Sequence, residues 1–294
     1  MFGRVRQLLE MIRFSHTLFA LPFALLAAMM AWTANARSEP PVAFRWQDLA
    51  GILVAMVCAR SAAMAFNRLA DRRLDALNAR TANRHLPAGS LSVASVVLFT
   101  SICSLGFIAG TLLFLPNRLP IYGSVPVLLF LFVYSFTKRV TVLAHFWLGG
   151  ALMLAPIAAW VALRPELAWA PVILGLAVML WVAGFDMIYA CQDVAFDVKM
   201  RLFSAPRRFG VVGALRLAAV CHLGMILLLL ALPLVDDAFG WIYLGGVAAI
   251  AALLVYEHAL VRPDDLTRVN RAFFHVNAVV SVGLFVIGSV DLLI

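Results

Sequence analysis

The chain has 294 residues, of which 64% are hydrophobic and only 13% charged, with a net charge of +8. A soluble domain carries about 25% charged residues, so composition argues against a soluble enzyme. The positive balance is better explained by membrane topology than by nucleic-acid binding.

Long apolar runs recur along the whole sequence, as in a polytopic membrane protein. The first follows a basic start. It lacks a clear small-residue cleavage site and is expected to be a retained span. Nine spans are predicted, at 14–34, 49–70, 91–115, 119–136, 142–163, 170–190, 211–234, 239–260 and 272–293. This makes an all-α, multi-pass helical bundle, expected to form one domain over residues 1–294. Loops alternating to one side hold most of the Lys and Arg residues, including Arg72, Arg73, Arg84, Lys138, Arg139 and Lys199. The opposite loops hold only Arg37, Arg45, Arg118 and Arg164. The positive-inside rule then places the N-terminus in the cytoplasm and the C-terminus outside. Cys58, Cys103, Cys191 and Cys221 show neither CxxC spacing nor a partnering His cluster, so they read as buried thiols.

Two polar stripes stand out. Span two ends in Asn67, Asp71 and Asp75, and span six is followed by Asp193 and Asp197. Four-residue spacing puts each set on one helix face. Both are expected on the cytoplasmic side. Segments that end in Gly89 and Gly210 follow them at similar distances, so a weak internal repeat is predicted, with the stripes facing each other across the bundle.

Carboxylates gathered in this way repel unless a cation neutralises them. Oxygen-only ligands suit Mg2+. The basic residues of the same loops turn this into a candidate diphosphate clamp. A diphosphate whose tail lies among apolar helices is a prenyl diphosphate. Neutralising the leaving diphosphate lets the allylic C–O bond ionise, and an electron-rich acceptor captures the cation.

Walker A, H-E-x-x-H and G-x-S-x-G motifs are absent, which removes support for nucleotide, zinc or serine hydrolysis. Tyr189 and Asp186 extend the second stripe along its face, and an acid as deep as Asp186 is a functional suspect. His16 opens span one beside Arg13 and borders the expected site. His145, His222, His258 and His275 read as interfacial or packing residues. An ion-coupled transporter is the alternative, because a pseudo-repeat with intramembrane acids also fits a carrier. The acids cluster at span ends rather than at midplane, which counts against it.

The chain resembles the UbiA superfamily of intramembrane prenyltransferases over nearly its whole length. The resemblance rests on Asn67-xxx-Asp71-xxx-Asp75, Asp193-xxx-Asp197, Tyr134-Ser-Phe-Thr-Lys138-Arg139 and the opening Ile12 to Pro22. It implies nine transmembrane helices around a central cavity, capped by short helices in the cytoplasmic loops after spans two and six. It also implies Mg2+ held by the two motifs and a lateral opening to membrane lipid for the polyprenyl diphosphate tail. The second motif, Asp-Val-Ala-Phe-Asp, carries no further acid between its ends, so coordination there rests on two carboxylates. Arg68 to Thr81 is similar to the 4-hydroxybenzoate polyprenyltransferase branch of ubiquinone biosynthesis. The segments Ile188 to Asp193 and Asn270 to Asn277 look more like members that prenylate 1,4-dihydroxy-6-naphthoate for menaquinone. Either acceptor is a hydroxylated aromatic acid. Arg13 and Arg139 are candidates for its carboxylate, since a planar guanidinium suits one. Arg72, Arg84, Lys138, Tyr189 and Lys199 are the other expected substrate contacts, in a protein of the inner (cytoplasmic) membrane with its active site towards the cytoplasm.

Overall fold

The computed structural model describes residues 2–12, 19–269 and 272–294. Arg13, His16, Asn270 and Arg271 lie outside the described residues. Among those described the fold is all-α; the sole β-type pairing is an isolated bridge between Arg262 and Asp265.

The helices are α1 (Phe2–Met11), α2 (Leu21–Ala36), α3 (Trp46–Leu77), α4 (Val93–Gly110), α5 (Leu119–Thr137), α6 (Ala144–Leu163), α7 (Trp169–Ala190), α8 (Val194–Lys199), α9 (Ala205–Ala231), α10 (Trp241–Leu260) and α11 (Asn277–Leu293). Eight of the described helical stretches are long and apolar enough to cross a membrane, and α2, with 16 residues, is a shorter apolar helix. Eight of the predicted segments coincide with these stretches, and the first overlaps the shorter α2, part of that segment lying outside the described residues.

Two compact units emerge from the packing. One comprises residues up to 17 and Trp46–Phe136; the other comprises Leu18–Arg45 and Thr137–Ile294. In the first, α3 packs along α4 and the 3-10 turn Thr111–Phe114. Ala62, Cys103, Phe107 and Leu128 form one core cluster there, and Met11, Ile12, Ala65, Leu91 and Val96 another. Phe66 stacks on Phe132 with ring centroids 4.4 Å apart.

In the second unit α7 is the central helix, packed between α6 and α9. Leu174, Val178, Trp181 and Val182 are completely buried along it. Association of helices in lipid relies on small residues that let backbones approach, and two glycines show this directly. A Cβ at Gly149 of α6 would strike the backbone carbonyl of Met179, and one at Gly184 of α7 would strike the His222 ring of α9.

The first acidic stripe matches the expectation: α3 carries Asn67, Asp71 and Asp75 and ends at Leu77, two residues past Asp75. The second stripe is broken. After Ala190 the chain forms a 3-10 turn over Cys191–Asp193, and α8 then carries Asp197.

Candidate functional site

In the first unit, the continuous α3 backbone places Asn67, Asp71 and Asp75 on one face. Asn67 Nδ2 donates to Asp71 Oδ2 at 3.0 Å and, more weakly, to Ser135 Oγ at 3.5 Å. The four-residue spacing thus produces an orienting bond within the stripe. Asp75 is 7% exposed. Its Oδ1 accepts from Arg84 Nη1 at 2.7 Å, and Arg68 Nη1 lies 4.0 Å from its Oδ2. Arg68 is itself buried and donates through Nε to the Met11 carbonyl. Thr81 Oγ1 donates to the Asp75 backbone carbonyl at 3.0 Å and ties down the following loop. Arg72 and Arg73 are exposed beside the stripe.

In the second unit, Asp193 and Asp197 are both buried, Asp197 to 2% exposure. The end of α8 explains how Asp197 is fixed. Arg201 takes a left-handed φ of 55°, and Leu202 N donates to the Asp197 carbonyl at 2.9 Å. This is the closure of a helix C-terminus that usually uses glycine. The loop is then fastened twice more: Phe203 N donates to the Lys138 carbonyl at 2.6 Å, and Ala205 N donates to His145 Nε2 at 3.2 Å. Lys138 and Tyr189 are half-buried, whereas Arg139 and Lys199 are exposed.

The residues fit a hard cation. Asp75 Oδ2 and Asp197 Oδ2 are each buried without a hydrogen-bond partner. An unsatisfied buried carboxylate oxygen is costly, and a cation removes the cost. Among the described residues no three His, Cys, Asp or Glu side chains converge closely enough to hold a metal alone.

Two residues outside the expected set belong in the description. Arg60 lies seven residues before Asn67 on the same helix, and its Nε is buried with no hydrogen-bond partner. Its signal in the sequence is an arginine inside an apolar span. His145, expected to be a packing residue, contacts Asp186, with Nδ1 2.7 Å from Oδ2. No spacing rule links two residues 41 positions apart.

Fold and site together define a polytopic helical membrane protein with buried carboxylates followed by basic loops. The chain belongs to the UbiA prenyltransferase family, whose sequence profile matches residues 20–279. It is 34% identical over 227 residues to the 4-hydroxybenzoate octaprenyltransferase of Nitrosomonas eutropha, a match covering 75% of this chain and 76% of the relative. Among solved structures, a UbiA homologue from Aeropyrum pernix K1 superposes with a TM-score of 0.80 at 29% identity, covering 95% of this chain and 97% of the other. A UbiA homologue from Archaeoglobus fulgidus, bound to DMAPP and Mg2+, shares the fold with a TM-score of 0.72 at 18% identity, over 98% of this chain and 99% of the other.

Proposed function

We propose that this protein transfers a polyprenyl group from a polyprenyl diphosphate to a hydroxylated aromatic acid, with Mg2+ as cofactor, and releases diphosphate. The observation that carries the reading is the buried Asp197 Oδ2, which has no hydrogen-bond partner, together with the buried Asp75 carboxylate, whose Oδ2 also lacks a hydrogen bond and has Arg68 4.0 Å away. The identity to 4-hydroxybenzoate octaprenyltransferases supports an aromatic prenyltransferase.

Asn67, Asp71, Asp75, Asp193 and Asp197 are the proposed Mg2+ ligands. Held by these residues, Mg2+ would supply Lewis-acid neutralisation of the leaving diphosphate. Arg72, Arg84, Lys138 and Lys199 hold the diphosphate, for which point charges and guanidinium forks are suited. Tyr189, half-buried near the end of α7, is a further proposed substrate contact. Arg60 is the preferred partner for the acceptor carboxylate, because a buried guanidinium with an unpartnered donor in an apolar span requires an anion. Arg139, an exposed residue, and Arg13 remain further candidates for that contact. The ring attacks the allylic carbon, and loss of a ring proton restores aromaticity. The apolar helices exclude water from the cation and receive the prenyl tail from membrane lipid.

The acceptor is 4-hydroxybenzoate or 1,4-dihydroxy-6-naphthoate, which places the reaction in ubiquinone or menaquinone biosynthesis. The carboxylates work at the cytoplasmic face of the inner membrane. The test supplies both acceptors to purified protein with Mg2+ and a radiolabelled polyprenyl diphosphate, and identifies products by mass. Turnover with either acceptor that stops in EDTA and returns with Mg2+ is expected. Turnover that persists in EDTA contradicts the metal assignment, and no product from either acceptor contradicts the activity.

A further inference from the structure

Asp186 is an acid within an apolar helix, seven residues before Asp193. Asp186 lies in the last turns of α7, which ends at Ala190, and the 3-10 turn that carries Asp193 follows directly. Its partner is His145 of α6, which is 1% exposed. His145 Nε2 accepts the backbone N–H of Ala205, so the proton of the neutral ring sits on Nδ1 and is donated to Asp186 Oδ2 at 2.7 Å. The ring thus ties Asp186 to the start of α9, whose preceding loop also carries the backbone bond that fixes Asp197. Asp186 retains 17% side-chain exposure, so it is oriented without being sealed.

An acid held in this way is poorly suited to a diphosphate, which it repels. It suits a neutral hydroxyl donor. We propose that Asp186 receives the ring hydroxyl of the aromatic acceptor, with His145 as its positioning residue. The proposal rests on the aromatic prenyl transfer described above. Hydrogen bonding from the hydroxyl to a carboxylate raises electron density at the ring carbon next to it. The allylic C–O bond breaks with its electron pair leaving on diphosphate, and that ring carbon supplies the pair for the new C–C bond. The ring proton at this carbon then leaves to a diphosphate oxygen.

The experiment compares 4-hydroxybenzoate with benzoate, which lacks the hydroxyl, in equilibrium binding to the full-length protein in detergent. Acceptor and prenyl diphosphate KM values and kcat are measured alongside. Asp186→Asn is expected to weaken 4-hydroxybenzoate binding about tenfold or more, in line with the loss of a hydrogen bond to a charged group. Benzoate binding and the KM for prenyl diphosphate should stay unchanged. His145→Asn should produce a smaller loss of the same selectivity, and Asp186→Glu should recover part of it. Equal weakening of both ligands, a parallel rise in prenyl diphosphate KM, or wild-type selectivity in Asp186→Asn overturns the proposal. Wild-type protein that binds 4-hydroxybenzoate in an Asp186-dependent way but never prenylates it would refute the transfer reaction and leave the hydroxyl contact standing. Transfer by wild type with no Asp186 dependence would do the reverse.

Discussion

Arg84 Nη1 donates to Asp75 Oδ1 at 2.7 Å, while the other oxygen of the same carboxylate is buried without a hydrogen-bond partner. One oxygen is therefore hydrogen-bonded, while the other has only the Arg68 guanidinium, 4.0 Å away. Removing the arginine leaves a buried charge less compensated and misaligned. Arg84→Ala is expected to lower kcat/KM by about 10- to 100-fold, with Arg84→Lys recovering part of it. Asp71→Ala should cost more, about 100-fold or above, the scale for loss of a preorganised electrostatic group. Steady-state prenyl transfer by variants shown to be monodisperse in detergent checks both. Activity within a factor of two of wild type for Asp71→Ala would contradict the metal-ligand assignment.

A second prediction concerns stability. In the second unit Trp181 Nε1 donates to Asn277 Oδ1 at 2.7 Å, and Asn277 Nδ2 donates to Glu257 Oε1 at 3.0 Å. All three residues are fully buried, and they connect α7, α11 and α10. Asn277→Leu strips a partner from the indole N–H and from the carboxylate at once. It should destabilise the protein by about 1–3 kcal/mol, read as a lower thermal midpoint in detergent. An unchanged midpoint would show that the network carries little of the packing.

Gly149 gives a third. Its missing Cβ faces backbone, not a flexible side chain, because the atom it would meet is the Met179 carbonyl oxygen. Gly149→Ala must therefore separate α6 from α7. A cost of about 1–3 kcal/mol, typical of overpacking, is expected. Gly245, where an added Cβ has nothing within contact distance, is the control: Gly245→Ala should leave the midpoint unchanged or raise it.

Asp236 provides a pH signature outside the spans. Burial raises its carboxyl above the usual carboxylate range, against the opposing bond from Ala238 N–H. A folded-state value above the unfolded one means that folding binds a proton. The stability cost is absent below the unfolded value, grows as pH rises through the window up to the folded value, and is complete above it. Asp236→Asn should therefore raise the thermal midpoint at neutral pH, and the advantage should vanish at about pH 3, below the unfolded carboxylate value. A pH-independent difference would assign the effect to packing instead.

The spans were readable because lipid imposes one rule on every helix, a long apolar run, and α5, α6 and α7 end within a few residues of their predicted limits. Asn67, Asp71 and Asp75 were readable because a single helix turns spacing into a shared face. Where the backbone departs from a plain α-helix the inference weakened: the 3-10 turn at Cys191–Asp193 leaves no trace in a four-residue spacing. His145 and Asp186 were beyond reach as a pair, since their contact depends on how α6 packs on α7. Arg60 was visible as a charge in an apolar run, but its unpartnered Nε could be found only from the packed side chains around it.

Gly89 and Gly210 both adopt a φ of 71°, 14 and 13 residues after Asp75 and Asp197 respectively. Each holds a positive φ that an L-residue adopts only at a cost of about 1–3 kcal/mol, Gly210 at a kink within α9. The length of chain between each carboxylate and its positive-φ glycine is thereby metered in both halves of the molecule. Tolerance to insertions should follow this metering. The stretches from 76 to 88 and from 198 to 209 are expected to resist a one-residue insertion about as strictly as the aspartates resist replacement. The connection from 37 to 45, which joins the ends of α2 and α3 away from either motif, should accept one freely.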